Sequence, residues 1–165
     1  MLPTAAPAYL PPFSSHQRDE IGRELQATLI ELIDLSLVGK QLHWSVVGPM
    51  FRPLHLQLDE LVDACRDLAD TVAERAVAIG YWPDGQAAAV AASETAPVAR
   101  GTLPDHKGVR ELTGRIAEIS ERIRVRMDRM GDLDIASQDV LVEVARTLEQ
   151  QLWMSRAQLP QPCED

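Results

Sequence analysis

The chain contains no apolar run approaching 18 residues, so no segment of it is fit to span a bilayer. Aromatic residues are only 4% of it, which suits a helical core of Leu, Val, Ile and Ala better than a β-sandwich. The two cysteines, Cys65 and Cys163, are too few for a disulfide framework or a thiolate metal site. Cys65 reads as a small core or interface residue, and Cys163 as a free thiol on the tail. No Lys or Arg precedes Arg18, and none follows Arg156. The stretch from Met1 to Phe13 thus lacks the basic n-region and long apolar h-region of a signal peptide, and the expected location is the cytoplasm. Sixteen Lys and Arg against 25 Asp and Glu give a net charge of −9. That balance argues against a partner bound by phosphate neutralisation and favours an acidic shell or cavity that attracts cations.

What is present is a single globular domain of 165 residues, 45% apolar and 25% charged, long enough to bury a core. Residues 1–15 are rich in proline with little periodicity and read as an extended arm. A first helix is expected from near Gln17 to about Val46, with Ile21, Leu25, Thr28, Leu32 and Leu35 inside and Glu24, Glu31 and Lys40 outside. Gly48-Pro49 breaks it. A second helix starts near Arg52-Pro53, where proline suits the first turn, and ends at Gly80. A third is expected over 104–130, burying Val109, Leu112, Ile116, Ile119, Ile123 and Met127. A fourth follows over 134–159, with Val140, Leu141, Val144, Leu148, Leu152 and Trp153 as its apolar residues. The link from Gly80 to Asp105 is long for a compact bundle and holds an alanine-rich turn over 86–93, so it reads as a crossover. These elements predict an all-α fold, a ferritin-like four-helix bundle over 16–159 with a short extra helix in the crossover. A short acidic tail, 160–165, completes the chain.

The second helix carries a stripe of metal-ligand residue types. His55 and Asp59 are four apart, as are Asp70 and Glu74, so each pair shares one helical face. On a helical wheel these four positions fall within roughly 100° of one another. Asp59 and Asp70, however, are separated by about 16 Å along the axis, too far to share an ion held by bonds of roughly 2 Å. Packing the helix antiparallel against its own copy resolves this. Across a two-fold axis near Ala64 and Cys65, His55 and Asp59 of one chain meet Asp70 and Glu74 of the other. The spacing therefore predicts two equivalent metal sites, each shared between subunits, with His43 at the end of the first helix a further candidate ligand.

The chain has no Glu-x-x-His, the motif that builds an intrachain di-iron centre in ferritin-like bundles, which leaves the shared site. Imidazole and carboxylate together suit iron, manganese or zinc better than calcium or magnesium, and the lack of thiolates argues against structural zinc.

The run His43-Trp44-Ser45-Val46-Val47-Gly48-Pro49-Met50-Phe51 is followed by Leu54-His55, Leu58-Asp59 and Asp70-Thr71-Val72-Ala73-Glu74-Arg75. With Ser137-Gln138-Asp139 and Gln151-Leu152-Trp153, it closely resembles the Dps family, the mini-ferritins called DNA-binding proteins from starved cells. The resemblance implies a hollow dodecamer whose two-fold interfaces hold ferroxidase sites. Such sites oxidise iron(II), with hydrogen peroxide in preference to oxygen, and the cage stores iron(III) mineral. It also implies His43, His55 and Asp59 from one subunit with Asp70 and Glu74 from its mate, holding one or two irons, zinc being an alternative occupant. Trp44 either packs over this site or absorbs a stray oxidising equivalent.

Further carboxylates have two readings each. Asp63 and Asp67 flank the ligand stripe, as a mineral-nucleating patch or as a solvated face. Asp134 is expected to cap the fourth helix, and Asp139 to line an acidic entry pore. His16 and His106 are not expected to bind metal. Two functional classes follow: an iron-oxidising, iron-storing cage, or a structural nucleoid protein that binds DNA. Without basic tails, DNA binding would have to use another surface, such as Arg122, Arg124, Arg126 and Arg129, which otherwise form a solvated basic face.

Overall fold

A computed structural model describes residues 10–93 and 96–160. Cys163, most of the N-terminal arm and most of the acidic tail lie outside them. Among the described residues, five helices and one pair of two-residue strands follow in the order α1 (Ser15–Ser45), β1 (Val46–Val47), α2 (Phe51–Ala78), α3 (Ala87–Ala91), β2 (Leu103–Pro104), α4 (Asp105–Gly131) and α5 (Ile135–Arg156). Among the described residues no helix is long and apolar enough to cross a membrane.

Helix α1 starts on a reciprocal cap. The Ser14 hydroxyl accepts the Gln17 N–H at 3.2 Å, and the Gln17 side chain accepts the Ser14 N–H at 3.1 Å. Its expected inner residues are buried: Ile21, Leu25, Thr28 and Leu32 are fully inaccessible, and Leu35 nearly so. Gly39 lets α2 approach closely, since a Cβ there would lie 2.8 Å from the Val62 side chain.

Helix α2 buries Leu54, Leu58, Leu61, Cys65, Leu68 and Val72 against the core. Each such aliphatic side chain contributes about 1.5–3 kcal/mol on burial, which sets the rotation of the helix. The same rotation leaves Asp63, Asp67, Asp70 and Glu74 on the outward side. Turning the helix to bury them would remove aliphatic surface from the core and strip water from carboxylates.

At one end of the bundle the Arg18 Nε donates to the Ile79 carbonyl at 2.6 Å, tying the end of α2 to the start of α1. At the other end, β1 pairs in parallel with β2, Val46 with Leu103 and Val47 with Pro104, joining the α1–α2 corner to the start of α4. The connection from α2 to α4 therefore runs the length of the bundle, which explains its length. The parallel pair was not foreseen, because two residues per strand leave no periodicity to read. Helices α4 and α5 form the second hairpin, joined through Asp132 to Asp134.

Two expectations fail here. Trp153 is not part of the apolar face of α5 but 61% exposed. It lies nine residues after the buried Val144, roughly 180° around the helix from it. The four arginines of α4 do not form a free basic face either. Arg122 and Arg126 pair with Glu31, Arg126 and Arg129 with Glu24, and Arg124 with both oxygens of Glu149 at 2.6 and 2.7 Å.

Candidate metal centre

His43 sits two residues before the end of α1, and His55 one turn into α2, so the sharp corner between the helices brings them face to face. Their rings stack with centroids 3.5 Å apart and planes 22° from parallel. Each ring also reaches the backbone of the other: His43 Nδ1 lies 3.0 Å from the His55 carbonyl, and His55 Nδ1 3.1 Å from the His43 carbonyl. A carbonyl oxygen only accepts, so each Nδ1 donates in its bond, and Nε2 is the nitrogen left to each ring for another partner. A second hydrogen bond of this kind is how proteins orient an imidazole toward a metal.

Asp59, one turn beyond His55, completes the group: one ligand atom from each of His43, His55 and Asp59 lies within 4.8 Å of the others. His43 is buried, while His55 and Asp59 are half-buried, so the donors are held by protein and still reachable. Asp59 also lies 3.2 Å from His43 Nδ1 and pairs directly with the Lys40 ammonium. That hydrogen bond, opposed by partial burial, holds its carboxyl below the usual aspartate range. Lys40 precedes His43 by three residues on α1 and thus shares its face. Its three-residue spacing from His43, legible in the sequence, is the signal that places it at the site.

Asp70 and Glu74 are not in this group. Both are exposed farther along α2, as are Asp63 and Asp67. Cys65 faces the core and is fully buried, and burial pushes its thiol up to about 12. Trp44 is 72% exposed. Asp134 caps α5, accepting from the Ala136 and Ser137 amides at 3.3 and 3.0 Å, and also binds Arg75 at 2.6 Å. Asp139 is exposed on α5, Asp132 ends α4, and His106 lies away from the group, 3.8 Å from Asp105.

The arrangement offers two imidazoles and one carboxylate, a donor set suited to a first-row divalent ion. A family model described as a ferritin-like domain matches residues 23–161, which defines the class. Within that class, the chain is 34% identical to a DNA protection during starvation protein of Mycolicibacterium smegmatis, over 91% of this chain and 82% of that one. It is 37% identical to the fine tangled pili major subunit of Haemophilus ducreyi, over 84% of this chain and 74% of that one. A solved structure of Mycobacterium smegmatis Dps superposes with a TM-score of 0.89 at 30% identity, covering 96% of each chain. The chain belongs to the Dps family of ferritin-like proteins.

Proposed function

We propose that the protein is a cytoplasmic ferroxidase cage, oxidising iron(II) and storing iron(III) as mineral, and so protecting the cell from oxidative stress. The observation that carries this reading is the half-site of His43, His55 and Asp59, on a helix whose next exposed carboxylates, Asp70 and Glu74, repeat its four-residue spacing. In our reading His43, His55 and Asp59 of one subunit bind iron(II) together with Asp70 and Glu74 of a two-fold mate. The carboxylates lower the net charge of the bound ion and favour the iron(III) product, and the imidazoles hold its position. One hydrogen peroxide takes two electrons from two iron(II) ions and, with two protons, leaves as water, so no hydroxyl radical is released. Zinc fits the same donors and would compete.

A closed homo-oligomer, of twelve subunits in this family reading, supplies the two-fold mate. Support for association comes from apolar side chains that the single chain leaves exposed, including Leu37 at 56% and Trp82 at 79%. Asp63, Asp67 and Asp139 are assigned to the cavity wall and the iron path. The DNA-binding reading is the weaker one, because the α4 arginines are already neutralised by Glu24, Glu31 and Glu149. A low-salt mobility shift with duplex DNA tests it, and retarded DNA would restore that reading.

The direct test loads iron(II) anaerobically, adds peroxide once and follows iron(III) absorbance. Wild type should consume two irons per peroxide, while His43→Ala and Glu74→Ala should lose the fast phase. Variants as fast as wild type would remove the chemistry from this centre.

A further inference from the structure

Neither α2 nor α4 has a side-chain cap of its own; their N-cap residues are Met50 and Pro104. A single carboxylate serves both helix starts. Asp105 Oδ2 accepts the Met50 N–H at 2.7 Å, and its Oδ1 accepts the His106 N–H at 2.7 Å. The residue is only 8% exposed. The corner backbone presses directly on it: Gly48 has φ +135°, and a Cβ there would lie 2.4 Å from Oδ2. The β1–β2 pairing holds the same corner from its other side, and Gly108 leaves room for Val46, whose side chain a Cβ would meet at 2.8 Å.

This corner is what joins the two imidazoles. His43 precedes β1 by three residues, and His55 follows Met50 by five. Because each ring bonds the other helix's backbone, the pair exists only at one register of α2 against α1. A one-residue shift of α2 would rotate it by about 100° and translate it by about 1.5 Å, breaking both ring-to-carbonyl bonds.

We infer that Asp105 is a positioning residue for the metal centre, setting the register of the α1–α2 corner so that His43 and His55 lie together beside Asp59. Its hydrogen bonds go to the Met50 and His106 amides, not to either imidazole of the centre. The inference rests on the ferroxidase reading, so its test separates the two.

Cobalt(II) is the probe, titrated into the full-length assembled protein and read by its visible absorption bands, which report ligand geometry. Asp105→Ala should weaken cobalt(II) binding about ten- to hundredfold, as loss of an outer support does at metal sites, and alter the band shape. Asp105→Asn keeps one acceptor oxygen and should recover part of the affinity. Gly48→Ala, which drives a methyl into the carboxylate, should reproduce the loss and keeps the test open if Asp105→Ala fails to assemble. Ser14→Ala, a cap lost at the far end of the bundle, should lower stability without changing the cobalt spectrum. Unchanged cobalt affinity in both Asp105→Ala and Gly48→Ala overturns the inference, as does an equal loss in Ser14→Ala. Cobalt bands that are the same in wild type and His43→Ala would instead overturn the metal-centre reading, and the inference with it.

Discussion

Mixing two inactive variants distinguishes a centre shared between subunits from one built within a chain. His43→Ala removes a ligand from the half-site formed at the α1–α2 corner. In the proposed shared centre, Glu74→Ala removes a ligand from the other half, about five helical turns farther along α2. Within a 28-residue helix, Asp59 and Asp70 are about 16 Å apart along the axis, so no ion bridges the two halves of one chain. In the proposed arrangement each site in a two-fold pair takes one half from each subunit. After complete 1:1 exchange, a site is whole only when its histidine half comes from Glu74→Ala and its carboxylate half from His43→Ala. Random assortment makes that combination about one half times one half, so the mixture should recover about a quarter of the wild-type rate. The assay is peroxide-driven iron(III) formation per subunit after co-refolding, with differently tagged subunits confirming exchange by mass spectrometry. Wild type carried through the same exchange sets the reference rate. No recovery despite confirmed mixing would refute the shared site, because two intrachain centres, each broken, cannot complement.

Lys40→Met removes the ammonium from Asp59 and frees that carboxylate for an ion; iron(II) titration should give tighter binding at the half-site or a higher iron stoichiometry, and an unchanged isotherm would place Lys40 outside the site. Asp134→Ala removes the α5 cap, worth about 1 kcal/mol, and leaves the partly buried Arg75 guanidinium without its carboxylate. The melting temperature should fall by about 2–4 °C for the cap and further for the ion pair, and an unchanged value by calorimetry would contradict the role given to Asp134. For the same residue burial opposes ionisation, but the Ser137 and Arg75 hydrogen bonds outweigh it and hold the carboxyl below the usual range. An aspartate depressed in the folded state stabilises fully above the unfolded value of about 3.9 and loses that contribution as pH falls through its folded value. Wild type should therefore lose stability more steeply than Asp134→Asn below about pH 4, read as helical circular dichroism during acid titration; parallel curves would sink the assignment.

Most of what was readable along the chain rests on repetition over one or two helical turns. The apolar spacing of Ile21, Leu25, Leu32 and Leu35 points to α1, and the buried positions Val109 through Ile123 point to α4, because a 3.6-residue period is a local property. The paired spacings of His55 with Asp59 and Asp70 with Glu74 are local in the same way, and so is the cap at Asp134. Trp153 shows the limit of that reasoning: hydrophobic character alone does not say which side of a helix faces the core, and nine residues from Val144 it faces out.

Tertiary structure alone decided how the half-site is built. The stacking of His43 on His55 and their exchange of Nδ1 bonds with each other's carbonyls arise from a corner that turns α2 back along α1. The use of Asp105 to hold that corner links residues 55 apart in the chain, and no periodicity or local motif records a contact at that separation. Helix-face patterns repeat every few residues and can be read from the chain. A cap supplied from another helix, or an ammonium laid against a ligand carboxylate, depends on where whole elements pack, which only the assembled core determines.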